Sequence, residues 1–67
     1  METNKIEVTV SASVPSQNWH RVASKLAREA AAAKGIAWED ADVVVALPEH
    51  GRCFTKSPGR TALVAHG

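Results

Sequence analysis

The clearest pattern lies near the start of the chain, where polar and apolar residues alternate strictly over residues 5–13. Ile6, Val8, Val10 and Ala12 face one way, and the polar residues between them face the other way. This alternation is typical of a β-strand with one face toward a core and the other toward water. The sequence therefore predicts a first strand over residues 5–13.

A helical pattern follows this strand. Pro15 and Ser16 interrupt the alternation, Ser16 is a candidate N-cap, and Gly35 is a candidate stop. At about 100° per residue, one stripe of the helix collects the apolar residues Trp19, Val22, Ala23, Leu26, Ala30 and Ala33. We therefore expect a helix that ends at Lys34 and covers a sheet with this stripe.

Three more strands are predicted after the helix. Residues 43–47 are apolar at both odd and even positions, which favours a central strand that is covered on both faces. Residues 52–56 and 61–66 can form two further strands, joined by a turn at residues 57–60. A right-handed crossover makes the first two strands parallel. The predicted fold class is α+β, in the order β-α-β-β-β, with one helix packed on one face of a small, mostly antiparallel sheet. We expect a single domain over residues 1–67.

The register of the last hairpin decides which residues face the helix. If both turns have loops of even length, Phe54 enters the core and pairs with Leu63. Arg52 and Lys56 then lie at strand ends, where their stems can reach water.

The opposite face of the sheet receives small and mostly apolar residues in this register. We take four of them as a candidate dimer or partner face: Val44, Ala46, Cys53 and Val64. Since nothing else in the chain is long enough to cover this face, we expect a second subunit or another partner to pack there.

Size and cysteine content add to this expectation. A chain of 67 residues buries only about 60% of its unfolded surface, so contacts with a partner subunit would add to its stability. Cys53 is the single cysteine and cannot form an intrachain disulfide, which favours a reducing compartment. The sequence has neither a membrane-length apolar run nor an apolar secretory segment near residue 1, so we expect a cytoplasmic protein.

Charge is informative only locally, because eight Lys and Arg against seven Asp and Glu give a net charge of +1. Six cations are candidate partner-binding residues, three in the hairpin and three on the helix: Arg52, Lys56, Arg60, Arg21, Lys25 and Arg28. Together with Phe54 they could form a basic surface for nucleic acid. The ordinary interpretation is that Phe54 is core and the cations keep exposed surfaces soluble.

The candidate chemistry does not assemble into a catalytic or metal centre. His50, Cys53 and His66 could converge, but they lack the paired spacing of zinc modules and a fourth ligand. A nucleophilic Cys53 would need an orienting third group and an oxyanion site that the sequence does not offer. We therefore predict no enzyme activity, no metal and no cofactor.

These observations lead to a binding function. We expect a non-catalytic homodimer that binds and modulates or inhibits a larger protein or nucleoprotein complex. The small size suggests an accessory or anti-defence role of the phage or plasmid type. One alternative is a nucleic-acid-binding protein that uses the basic hairpin. Another is a small-molecule or flavin binder that uses Trp19 or Trp38.

Overall fold

The computed structural model describes residues 4–66 as one helix packed on a four-stranded mixed sheet. The strands lie in chain order across the sheet: β1 Lys5–Thr9, β2 Asp42–Ala46, β3 Cys53–Lys56 and β4 Val64–His66. β1 and β2 are parallel, and β2, β3 and β4 are antiparallel neighbours. The predicted α+β class and β-α-β-β-β order are confirmed.

The first strand is shorter than predicted. β1 ends at Thr9, and the backbone N–H of Val10 makes one further bond of 2.9 Å to the Ala46 carbonyl. The chain then turns, because the Ser11 hydroxyl accepts from the Ser13 amide at 3.3 Å and lies 2.9 Å from the Ser13 hydroxyl. Local serine bonds of this kind compete with a strand ladder, although the serines preserve the alternating pattern.

The helix α1 spans Trp19–Ala33 and follows a 3-10 turn at Ser16–Asn18, so it starts later than the sequence suggests. It ends at Ala33, one residue before the predicted end at Lys34, and the predicted stop residue Gly35 follows with a φ of 71°. The Gly35 and Ile36 amides bond to the Ala32 and Ala31 carbonyls at 3.1 and 2.9 Å, which is a Schellman motif.

The buried stripe of α1 is a row of alanines. Ala23, Ala27 and Ala31 are buried at intervals of four residues, whereas Ala33, which we expected in the stripe, is exposed. Alanine side chains let the helix backbone approach the sheet closely, and α1 packs mainly on β1 with fewer contacts to β2. The helix therefore lies over β1 and β2, and β3 is reached by a side chain of the helix, the His20 ring.

The final hairpin has the predicted faces but a different register. Phe54 is paired with Ala65 rather than with Leu63, a shift of two residues that keeps the paired side chains on their predicted faces. The strand predicted over residues 61–66 is shorter than expected and covers only Val64–His66. The turn at residues 57–60 has Gly59 at φ 87° and a 3.1 Å bond from the Arg60 amide to the Ser57 carbonyl. This geometry fits a type II Pro-Gly turn.

The core lies between the sheet and α1 and extends under the hairpin. Its buried apolar members are Ile6, Val10, Ala23, Ala27, Ala31, Ala41, Val43, Val45, Leu47, Phe54 and Leu63. Beyond β2, the cover comes from side chains of α1 and of the loops. The His20 ring, for example, packs edge-on against Phe54 with centroids 5.3 Å apart.

Candidate interaction surface

The hairpin cations do not form one strip. Arg52 precedes β3 and makes an ion pair of 3.2 Å with Glu49, and Arg60 lies in the turn after β3. The four residues of β3 span about 13 Å at the usual rise per residue. The two arginines therefore lie at opposite ends of the strand, and they do not form a continuous basic ribbon.

Lys56 differs most from its expected position. The sequence predicts a stem that reaches water, but the residue is only 2% exposed. Its ammonium group donates to the carbonyls of Ala41, Ser57 and Glu39 at 2.7, 3.3 and 3.5 Å. Lys56 thus supports the fold from inside, and its charge is not available to a partner.

The surroundings of Lys56 change its proton affinity. Burial lowers the pKa of the ammonium group below the ordinary value of 10.5, and the carboxylates of Asp40, Asp42 and Glu39 partly offset this effect. These three carboxylates, at and just before the start of β2, therefore favour the charged form of the buried lysine.

Trp38 connects this internal site to the helix surface. Its indole N–H donates to the Thr61 carbonyl at 2.9 Å, and the Lys56 nitrogen lies 5.1 Å from the ring centroid. The Arg28 guanidinium stacks on the same ring at 4.7 Å. Arg28 is exposed as predicted, but its guanidinium group contacts the Trp38 ring and is not surrounded by water alone.

The other two candidate cations of the helix, Arg21 and Lys25, are exposed on α1.

The face of the sheet opposite α1 carries the predicted dimer or partner residues in cross-strand rows. Val44, Thr55 and Val64 form one row across β2, β3 and β4, and Ala46 and Cys53 belong to the next. Val44 and Cys53 are half-buried, Ala46 is exposed, and Val64 is 57% exposed. No other large apolar side chain in residues 4–66 is as open to solvent. We call this surface the open face.

The outer strand β4 is exposed more fully than any other strand. All three of its residues are exposed, including Ala65, which points to the helix side next to buried Phe54. β4 is also an edge of the sheet, so its outer backbone groups have no strand partner within the described part of the chain. The strand is therefore open on both faces and along one side.

The opposite edge of the sheet is protected by charge. On β1, Lys5 and Glu7 form an ion pair of 3.3 Å, and the Lys34 ammonium donates to the Lys5 carbonyl at 3.3 Å. Charged side chains on an edge strand discourage pairing with another chain. β4 contains valine, alanine and histidine and has no such protection.

A cleft of about 480 Å³ lies where β3, the connecting turn and β4 meet. Its lining includes Thr55, Ser57, Arg60, Val64 and His66. Thr55, Val64 and His66 belong to the open face, and the turn forms a wall beside it. The sequence pattern gave no sign of this cleft, because its walls come from a loop whose fold depends on contact with the region around Trp38.

Two further polar contacts are not predicted by any pattern in the sequence. The His20 ring nitrogen lies 3.2 Å from the Leu63 carbonyl, and the Gly59 amide donates to the Glu39 carbonyl at 2.6 Å. Both connect segments that are distant in the chain and that carry no shared motif. Together they fix the connection between β3 and β4 to the rest of the fold.

Other kinds of site receive no support from the geometry. In the range 4–66, no three His, Cys, Asp or Glu side chains are grouped in a way that could hold a metal ion. No helix in that range is long and apolar enough to cross a membrane.

Comparison of the chain with protein-family models, with curated proteins and with solved structures finds no match.

Proposed function

We propose that this chain is a non-catalytic binding protein that forms a homodimer through β4 and engages a larger protein or nucleoprotein complex with its open face. In the dimer, β4 of one copy pairs antiparallel with β4 of the second copy. The two four-stranded sheets then become one continuous sheet.

The observation that carries this proposal is the exposure of β4. A three-residue strand that is open on both faces and along its outer edge gains backbone hydrogen bonds and side-chain cover when another strand is added. A chain of this size has a small core, so the added contacts also stabilise the fold.

A second copy of the chain suits this edge well. Antiparallel pairing about a twofold axis places β4 of one copy beside β4 of the second copy. The strand consists of Val64, Ala65 and His66, so it has no acidic or lysine side chain that would repel the same residue in the other copy. The charged β1 edge does not compete for this role. The partner-binding surface is then the doubled open face, on which Val64 and Val44 from each copy provide apolar contact.

The proposal also includes a cellular location and a biological role for the protein. The free Cys53 thiol suits a reducing compartment, which supports a cytoplasmic location. The small size is compatible with an accessory or inhibitory role of the phage or plasmid type, in which one small protein occupies a surface of a larger one.

Sedimentation velocity on three proteins tests the dimer. Ala65→Lys places a charge on the β4 edge, and Ala32→Lys places the same charge at an exposed site on α1 as a control. We expect the wild type and Ala32→Lys to sediment at twice the chain mass of 7.1 kDa, and Ala65→Lys to sediment as a monomer. A monomeric wild type, or an Ala65→Lys variant that remains dimeric, contradicts the proposal.

Direct nucleic-acid binding is a second candidate. It is favoured by the exposure of Arg21, Lys25 and Arg60, none of which has an ion pair within residues 4–66. A phosphate-driven complex should weaken steeply between about 50 and 200 mM salt, whereas an apolar protein interface should respond little. Loss of binding to a labelled single strand when all three residues become alanine would support this candidate.

A further inference from the structure

The polar side chains that line the cleft beside β4 are basic residues and hydroxyls. Its polar side chains are the Arg60 guanidinium, the Lys56 ammonium group, the His66 imidazole and the hydroxyls of Thr55, Ser57 and Thr61, and none of its lining residues is acidic. We infer that this cleft binds a small organic anion whose head group is a carboxylate or a phosphate monoester. The cleft shares Val64 and His66 with β4, the strand of the proposed dimer contact, but binding of the anion at Arg60 does not require a second copy of the chain.

Arg60 is the residue that recognises the anion. A guanidinium group presents parallel N–H donors that match the paired oxygens of a carboxylate or phosphate. The Arg60 side chain makes no hydrogen bond or ion pair with any other residue in the range 4–66, so its donors are available. Lys56 also lines the cleft, but its ammonium group is occupied by backbone carbonyls.

The turn that carries Arg60 is held in place before a ligand arrives. The Arg60 amide bonds to the Ser57 carbonyl at 3.1 Å, and the Gly59 amide bonds to the Glu39 carbonyl at 2.6 Å. A donor on a fixed turn loses less conformational entropy on binding than a donor on a free loop. The Ser57 hydroxyl lies on the same turn and provides a second donor.

The apolar residues and the volume of the cleft indicate what the rest of the ligand should be, beyond its anionic head group. Val64 and Ala62 supply apolar surface next to the polar groups. The volume of about 480 Å³ lies within the range of small-molecule sites, which is about 300–1,000 Å³. The cleft therefore suits an anion with a compact apolar body, such as an aromatic ring.

Two-dimensional NMR of ¹⁵N-labelled protein in low-salt, phosphate-free buffer tests this site. Phenyl phosphate and benzoate are the two anionic probes, and benzyl alcohol is the neutral control. We expect saturable shifts confined to the amides of Thr55, Ser57, Arg60, Thr61, Val64 and His66. Saturation by phenyl phosphate alone identifies a phosphate site, and saturation by benzoate alone identifies a carboxylate site.

Variants decide whether Arg60 is responsible. Arg60→Ala should weaken binding of the anion at least about tenfold, in line with the loss of a charge-assisted bidentate contact, and Lys5→Ala on the exposed opposite edge of the sheet should leave binding unchanged. The inference is wrong if neither anion produces larger shifts than benzyl alcohol. It is also wrong if Arg60→Ala retains full affinity while its spectrum remains that of a folded protein.

Discussion

The ammonium nitrogen of Lys56 donates a hydrogen bond of 2.7 Å to the carbonyl oxygen of Ala41. Ala41 is fully buried, so its carbonyl lies away from solvent at the point where β2 begins. The bond joins the end of β3 to the entry of β2, and it sits beside Trp38, whose ring lies 5.1 Å from the same nitrogen. One lysine therefore ties together the crossover connection and the hairpin.

Replacement of Lys56 by methionine tests the contribution of this bond. Lys56→Met keeps most of the side-chain volume but removes the donor, which leaves the Ala41 carbonyl without this partner. We expect the free energy of unfolding to fall by about 1–3 kcal/mol, the usual cost of an unsatisfied buried acceptor. Urea unfolding followed by circular dichroism measures the change. Lys25→Met, at an exposed site on α1, should change stability by less than about 0.5 kcal/mol.

The same residue should give the stability a defined pH dependence. Burial lowers the pKa of Lys56 in the folded protein below the value of 10.5 that it has in the unfolded chain. Between these two pKa values the unfolded chain holds more protons, so the free energy of unfolding rises with pH. We expect the stability of the wild type, measured relative to Lys56→Met, to increase as pH approaches 10.5 from below. A constant or falling difference would show that the folded protein does not disfavour the charged lysine.

The alanine row of α1 should tolerate no enlargement. Ala27 is fully buried between Ala23 and Ala31 where the helix lies on β1. Ala27→Leu forces the helix away from the sheet, and we expect a loss of about 1–3 kcal/mol or more. Ala32→Leu adds the same group at an exposed position of α1 and should have little effect. Equal stability of the two variants in thermal or urea unfolding would contradict the close packing of this row.

Much of the fold could be predicted from local patterns. The alternation that begins at Lys5, the apolar run in β2 and the glycine after α1 are direct consequences of strand and helix geometry. The faces of the hairpin also followed from alternation, since a shift of two residues in register leaves them unchanged. The exact partner of Phe54 did not follow, because it depends on how the turn docks against Glu39.

The candidate surfaces were less predictable. Alternation placed Lys56 on the helix side, but its burial depends on carbonyls at residues 39 and 41, which the crossover connection brings to it from a distant part of the chain. The predicted helix stripe was centred incorrectly, since Val22 and Leu26 are only half-buried, whereas the fully buried positions of the helix are the alanines at 23, 27 and 31. The openness of β4 could not be foreseen, because it depends on how much of the sheet the helix covers.

The most direct test of the proposed dimer is an intermolecular nuclear Overhauser experiment on an equal mixture of ¹³C-labelled and unlabelled protein. Filtered spectra detect only contacts between copies. The account predicts cross-strand contacts between Ala65 of one copy and the β4 residues Val64 or His66 of the other, with slow amide exchange along this strand. A sample at millimolar concentration that gives no contacts between copies at β4, and fast amide exchange there, would contradict it.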